Sequence, residues 1–183
     1  MTSEAAALTE FQVSLIGYWV PFDPGNPLPG TEYDEVRGEL DRLGFGPPTF
    51  PAGTRSLLTA AMFDDAGTEE EPDPIYATVI VVQHDGSMKV KLDSDGAIVP
   101  TRQTRRKKFE WPGGNVGEVE MHEVDYTIPH PEAATFVTVT FTTPNLPRID
   151  EMEWIFDTIV GTSAWVAPLS PEERLELRTD DDH

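Results

Sequence analysis

His122 stands two residues after Glu120 and directly before Glu123, within the run Val116 to Ile128. Alternate residues of an extended strand share a face, so Glu120 and His122 point the same way. An imidazole beside a carboxylate can hold a metal or pass a proton. This is the one acid/base pair that the residue types suggest, although a solvent-facing strand histidine is the commoner arrangement. The other histidines, His84, His130 and His183, fall in two turns and a tail.

The remaining short patterns read as turns. Asp93-Ser94-Asp95-Gly96 opens like a calcium loop, but Thr104 occupies the position where such a loop needs glutamate. Pro112-Gly113-Gly114-Asn115 has no lysine and no helix after it, so it cannot cradle a phosphate. No serine occupies a strained nucleophile elbow, and Gly161-Thr162-Ser163 reads as a helix exit. The acidic stretch 64–74 (Asp64, Asp65, Glu69, Glu70, Glu71, Asp73) reads as a solvated loop that would bind divalent cations weakly. No catalytic residue, cofactor or metal site is expected.

Two surface features stand out. Arg102, Arg105, Arg106, Lys107 and Lys108 form the only dense basic cluster; with Lys89 and Lys91 they make seven of the thirteen bases. Such a cluster binds an anionic partner, neutralises the chain's own acids or is a mobile loop, and the neutralising reading is favoured. Trp154 lies between Glu153 and Ile155, off the main apolar stripe of its helix. It either marks a contact surface or joins a wide core face, and the core is slightly preferred. Trp154, Arg102, Arg105, Arg106, Lys107 and Lys108 are therefore the candidate partner contacts.

The elements that position these residues follow from periodicity. Phe11 to Phe22 reads as one strand, ended by Asp23-Pro24-Gly25-Asn26-Pro27. Thr31 caps a helix over 32–43, with Tyr33, Val36, Leu40 and Leu43 on one side and Gly44 as its stop. After a proline-rich connector, Thr54 caps a short helix carrying Leu57, Leu58, Ala61 and Met62. Ile75 to Gln83 is a nearly continuous apolar run, as an inner strand requires. Asp85-Gly86 signals a hairpin, with Met88 to Leu92 as the returning strand. Phe109 to Trp111 pairs briefly, and Val116 to Ile128 is a long strand with a bulge or bend near His122 and Glu123.

Pro129 to Glu132 is a turn. Phe136 to Thr142 alternates, with Val137, Val139 and Phe141 on one face. Ile149, Met152, Ile155, Phe156, Ile159 and Val160 form the apolar stripe of a helix. Asp150 is its N-cap and Glu153 completes a capping box. Trp165 and Val166 follow, and Ser170-Pro171-Glu172-Glu173 opens a short polar helix before an acidic tail. The expected organisation is a flexible lead-in over 1–10, a single α+β domain over 11–167, and a polar helix with tail over 168–183. The domain is an antiparallel sheet of five to six strands with helices packed on it.

Composition narrows the function classes. The chain has 183 residues, enough for one well-buried core. It has no cysteine, which excludes disulfides, thiolate metal sites and cysteine nucleophiles. The N-terminus lacks a basic region of the secretory type, and no apolar stretch is long enough to cross a bilayer. A cytoplasmic protein without membrane contact is expected. The formal net charge is -20, with 33 acids against 13 bases, which disfavours direct nucleic-acid binding.

The stretch from Val137 through Thr143-Pro144-Asn145, followed by Phe156-Asp157-Thr158-Ile159-Val160 and Trp165, resembles small actinobacterial proteins. In these a strand ending in a Ser/Thr-Pro step leads into a helix with Phe-Asp-x-Ile and then an aromatic. The layout also resembles the Mog1/PsbP-like group, with its LpqN-type lipoprotein domains. The resemblance covers about residues 116–166. It implies an antiparallel sheet with packed helices and a binding or accessory role, and it carries no catalytic residues. The lipobox cysteine of the secreted members is missing here.

The leading expectation is a non-enzymatic accessory protein that binds another protein. The alternatives are an acidic mimic of nucleic acid that occupies a basic protein, and a small enzyme using His122 and Glu120.

Overall fold

The computed structural model describes residues 10–17, 19–21, 52–65, 73–109 and 119–167. The expected helix over 32–43, most of the lead-in and of the acidic stretch, and the segment after residue 167 lie outside them.

Six antiparallel strands form the main sheet, in the order β2-β3-β4-β7-β6-β5. They are β2 (Trp19–Pro21), β3 (Thr54–Asp65), β4 (Pro74–Asp85), β5 (Thr101–Phe109), β6 (Val119–Pro129) and β7 (Thr135–Thr143). A second, two-stranded sheet joins β1 (Glu10–Gln12) to β8 (Ala164–Val166). The one helix among the described residues, α1 (Ile149–Gly161), packs on one face of the main sheet. This is the expected α+β arrangement in outline.

Register decides which side chains meet α1. Ala60, Val79, Phe141 and Val124 sit opposite one another across four strands. Leu58, Val81, Val139 and Tyr126 form the next row on the same face. Against them α1 buries Met152, Phe156, Ile159 and Val160, the stripe that helical spacing defines. Phe141 lies at the centre. Phe156 stacks on it with ring centroids 4.3 Å apart, while Tyr126 and Trp19 approach edge-on at 5.9 and 6.2 Å. The small sheet closes one end of this core. Phe11 lies opposite Trp165, and the Trp165 indole N–H donates to the Pro129 carbonyl at 3.1 Å.

Several elements differ from the sequence reading. In place of one strand from Phe11, the described residues form β1 and β2 in different sheets, and the chain turns between them at Gly17, whose φ of 91° suits glycine. The stretch from Thr54 is strand β3 and not a short helix. Its pairing with β4 supplies long-range hydrogen bonds that outweigh the local helical spacing. A register shift between Ser56 and Leu58 turns Leu58, Ala60 and Met62 onto the core face. Asp64, Asp65 and Pro74 of the expected acidic loop belong to strands.

Met88 to Leu92 does not return along β4, because β3 and β7 already occupy both of its edges. The chain instead crosses to β5 at the far edge. The expected turn at Asp93–Gly96 does form: Asp93 Oδ1 accepts from the Asp95 and Ala97 N–H groups, and Gly96 has φ 82°.

β6 keeps continuous register with both neighbours and has no bulge. The change of pattern near His122 has another cause. His122 takes a core-facing position in line with Val124 and Tyr126, while Met121 is buried on the opposite face. Asp150 is not the N-cap of α1: Arg148 holds that position after a single 3-10 turn, Leu146–Arg148, and makes no side-chain cap bond.

Phe156→Ala removes the ring stacked on Phe141 and is expected to cost about 3–5 kcal/mol in urea unfolding. Trp154→Ala, on the outer side of the same helix, is expected to stay within about 0.5 kcal/mol.

Candidate functional site

Glu153 and Asp157 lie four residues apart and so share one side of α1. They face β5 and β6. There they meet Arg102, His122 and Tyr126, which the pleat of those two strands presents toward the helix. Arg102 Nη2 lies 2.5 Å from Glu153 Oε2, and its Nε lies 3.6 Å from Asp157 Oδ1. His122 Nε2 is 2.8 Å from Glu153 Oε1. The Tyr126 hydroxyl donates to Asp157 Oδ1 at 2.6 Å and accepts from Arg102 Nε at 3.4 Å. The guanidinium also stands over the Tyr126 ring, 5.9 Å from its centroid.

Electrostatics follow from this geometry. Burial alone would raise the Glu153 pKa, but hydrogen bonds from Arg102 and His122 outweigh it and hold the carboxyl below its ordinary 4.5. Burial, and then the bond to Asp157, push the Tyr126 hydroxyl upward, so it remains a neutral donor. Burial disfavours the Arg102 charge, yet the bonds to Glu153 and Tyr126 leave its pKa raised. With Glu153 ionised, Nε2 of His122 carries the donated hydrogen. The other ring nitrogen, Nδ1, is buried without a hydrogen-bond partner. Neither nitrogen is open to a substrate. His122 is 7% exposed, against the solvent-facing position expected of it. Glu120 pairs with Arg106 at 3.2 Å and not with His122.

The opposite face of the sheet holds a second ionic group. Arg105 pairs with Glu123 and lies 2.9 Å from Asp125; Lys107 reaches Glu123 at 2.6 Å. Thr140 Oγ1 donates to Asp125 at 2.6 Å. The Glu123 side chain is 6% exposed, and two cations meet the requirement that a buried carboxylate be paired. Arg102, Arg105, Arg106 and Lys107 thus each reach a carboxylate of this chain. Lys108 is exposed farther along the same strand.

His84 stacks on Phe136, with centroids 4.6 Å apart, and burial lowers its pKa. His130 Nδ1 accepts the N–H groups of Glu132 and Ala133 and so shapes the β6–β7 turn. Among the described residues no three His, Asp or Glu side chains gather to hold a metal. No helix among them is long and apolar enough to cross a membrane.

Trp154 is 66% exposed and does not join the core. It sits two residues after Met152 and two before Phe156, about 200° around the helix from each. Asp150, Glu151 and Asp157 are exposed on its side of α1. The contacts that sequence reasoning missed are those of Glu153, Asp157 and Tyr126. The spacing of the two carboxylates beside the core stripe is their signal, which the capping-box pattern of Asp150 and Glu153 masks.

Fold and site together describe a small antiparallel sheet with a helix clamped to it by charge. Comparison with family models, curated proteins and solved structures finds no match for the chain.

Because the folded Glu153 carboxyl titrates below 4.5, its stabilisation is complete above that pH and disappears as pH falls through the folded value. The stability difference between wild type and Glu153→Gln should therefore shrink as pH falls from 5 toward 3, measured by urea unfolding. A difference independent of pH would remove the carboxylate from this account.

Proposed function

We propose that this protein is a non-enzymatic accessory protein that binds another protein through the outer face of α1, with Trp154 as the anchor. The observation that carries the reading is the exposure of Trp154 on a helix whose stripe is otherwise well buried. Tryptophan is enriched among the residues that dominate binding energy, because its large rigid ring loses little entropy on contact. Asp150 and Glu151 lie beside it, Glu151 paired with Arg148, and the net charge of -20 steers a basic partner toward the protein. An arginine or lysine of that partner fits over the indole face.

The resemblance to the Mog1/PsbP-like group, whose members bind or assist other proteins, points the same way. The enzymatic alternative has less support: His122 spends one ring nitrogen on Glu153, and Glu120 is paired elsewhere. The nucleic-acid mimic also has less, because Glu120, Glu123, Asp125, Glu153 and Asp157 turn to the chain's own cations.

The test is affinity capture with the full chain and with Trp154→Ala, followed by titration of each enriched protein after purification. A partner that loses about 2 kcal/mol of affinity on Trp154→Ala, roughly thirtyfold, and weakens with added salt is expected. Partners that bind both chains equally would overturn the assignment of this face.

A further inference from the structure

The segment 87–92 alternates apolar and basic residues: Met88, Val90 and Leu92 between Lys89 and Lys91. That period of two is a strand pattern, yet the segment belongs to no sheet. Its three apolar side chains are 41%, 39% and 55% exposed, and they are three of the five large hydrophobic residues exposed among the described residues. Within that set its main chain is bonded at Lys91, whose carbonyl accepts from Val99 at 2.8 Å, and at no residue from Met88 to Val90. An isolated bridge from Leu92 to Ile98 completes its pairing.

Charge distinguishes the segment further. Arg102, Arg105, Arg106, Lys107 and Arg148 each hold a carboxylate. Lys89 and Lys91 hold none among the described residues, and nor does Arg55, which bonds the Gln83 amide oxygen instead, although acids outnumber bases 33 to 13 in the chain. Open main chain, exposed apolar side chains and uncompensated cations thus coincide in one strand-patterned stretch. In strand addition, main-chain hydrogen bonds supply affinity, and side chains directly opposite one another supply specificity.

We infer that residues 87–92 are a docking strand for an extended segment of a partner protein that alternates acidic and apolar residues. The acids sit opposite Lys89 and Lys91, and the apolar residues opposite Met88, Val90 and Leu92. This surface is separate from the Trp154 face and of opposite charge. A second copy of the chain fits it poorly: antiparallel self-pairing about Val90 sets lysine against lysine, and each copy carries -20. An anionic bilayer would attract the two lysines near its surface, but it repels a chain of this net charge.

The experiment follows the backbone NMR resonances of the full chain during titration with a short synthetic peptide alternating glutamate and valine. Shifts confined to residues 87–92 and their neighbours are expected. The double variant K89E/K91E should weaken this peptide about tenfold and bind an alternating lysine–valine peptide in its place. Val90→Asp should lose the glutamate–valine peptide and Trp154→Ala should keep it, which separates this surface from the helix face. Circular dichroism of each variant checks that the fold is retained. No binding, binding unchanged by K89E/K91E, or shifts elsewhere would overturn the inference. So would Lys89-dependent sedimentation with phosphatidylserine vesicles, or a Lys89-dependent dimer without peptide, in favour of a bilayer or a second copy.

Discussion

Phe156 lies flat on Phe141, and most of the described architecture is arranged around that stack. Phe141 belongs to β7, the strand that joins the two halves of the sheet: β4 pairs with one of its edges and β6 with the other. A ring at its centre can be covered from one face only by a helix crossing at that height, and α1 meets the condition with Phe156 in the middle of its buried stripe. Trp19 and Tyr126 approach the same ring from strands on either side. Edge-on contacts of this kind bring strands far apart in sequence against one buried group.

Charge then orients what apolar packing brings together. Glu153 and Asp157 extend from the side of α1 to Arg102, and His122 and Tyr126 complete the contact from β6. The apolar stripe sets which side of the helix faces the sheet, and directional hydrogen-bonded ion pairs narrow that orientation further. The polar groups have a further effect on the surface. A sheet edge rich in lysine and arginine resists pairing with a second such edge, so β5 guards the end of the main sheet against uncontrolled stacking.

Much of this was legible in the residues. The alternation of Val137, Val139 and Phe141 and the stripe from Met152 to Val160 are strong periodic signals, and both are core in the structure. What could not be read locally depends on which strands become neighbours. Thr54 to Met62 carries helical spacing, and only the long ladder to β4 makes it a strand. Met88 to Leu92 carries a true strand pattern, but β4 has no edge left for it. His122 disguised the inward face of β6, since a polar residue in an apolar row looks like a break in the row. Its partner Glu153 is 31 residues away on another element, a distance over which spacing carries no information.

The basic strand has one more property. Between Thr101 and Lys108 its side chains are exposed or half-buried, so it is tied to the protein by one ladder and by ionic links above and below the sheet. Links of that kind weaken as dissolved ions crowd the surface, while the aromatic centre stays unaffected or tightens. The molecule therefore has a margin whose cohesion follows the ionic strength around it, beside an interior that does not. Brine should loosen the rim of this sheet long before it disturbs the heart.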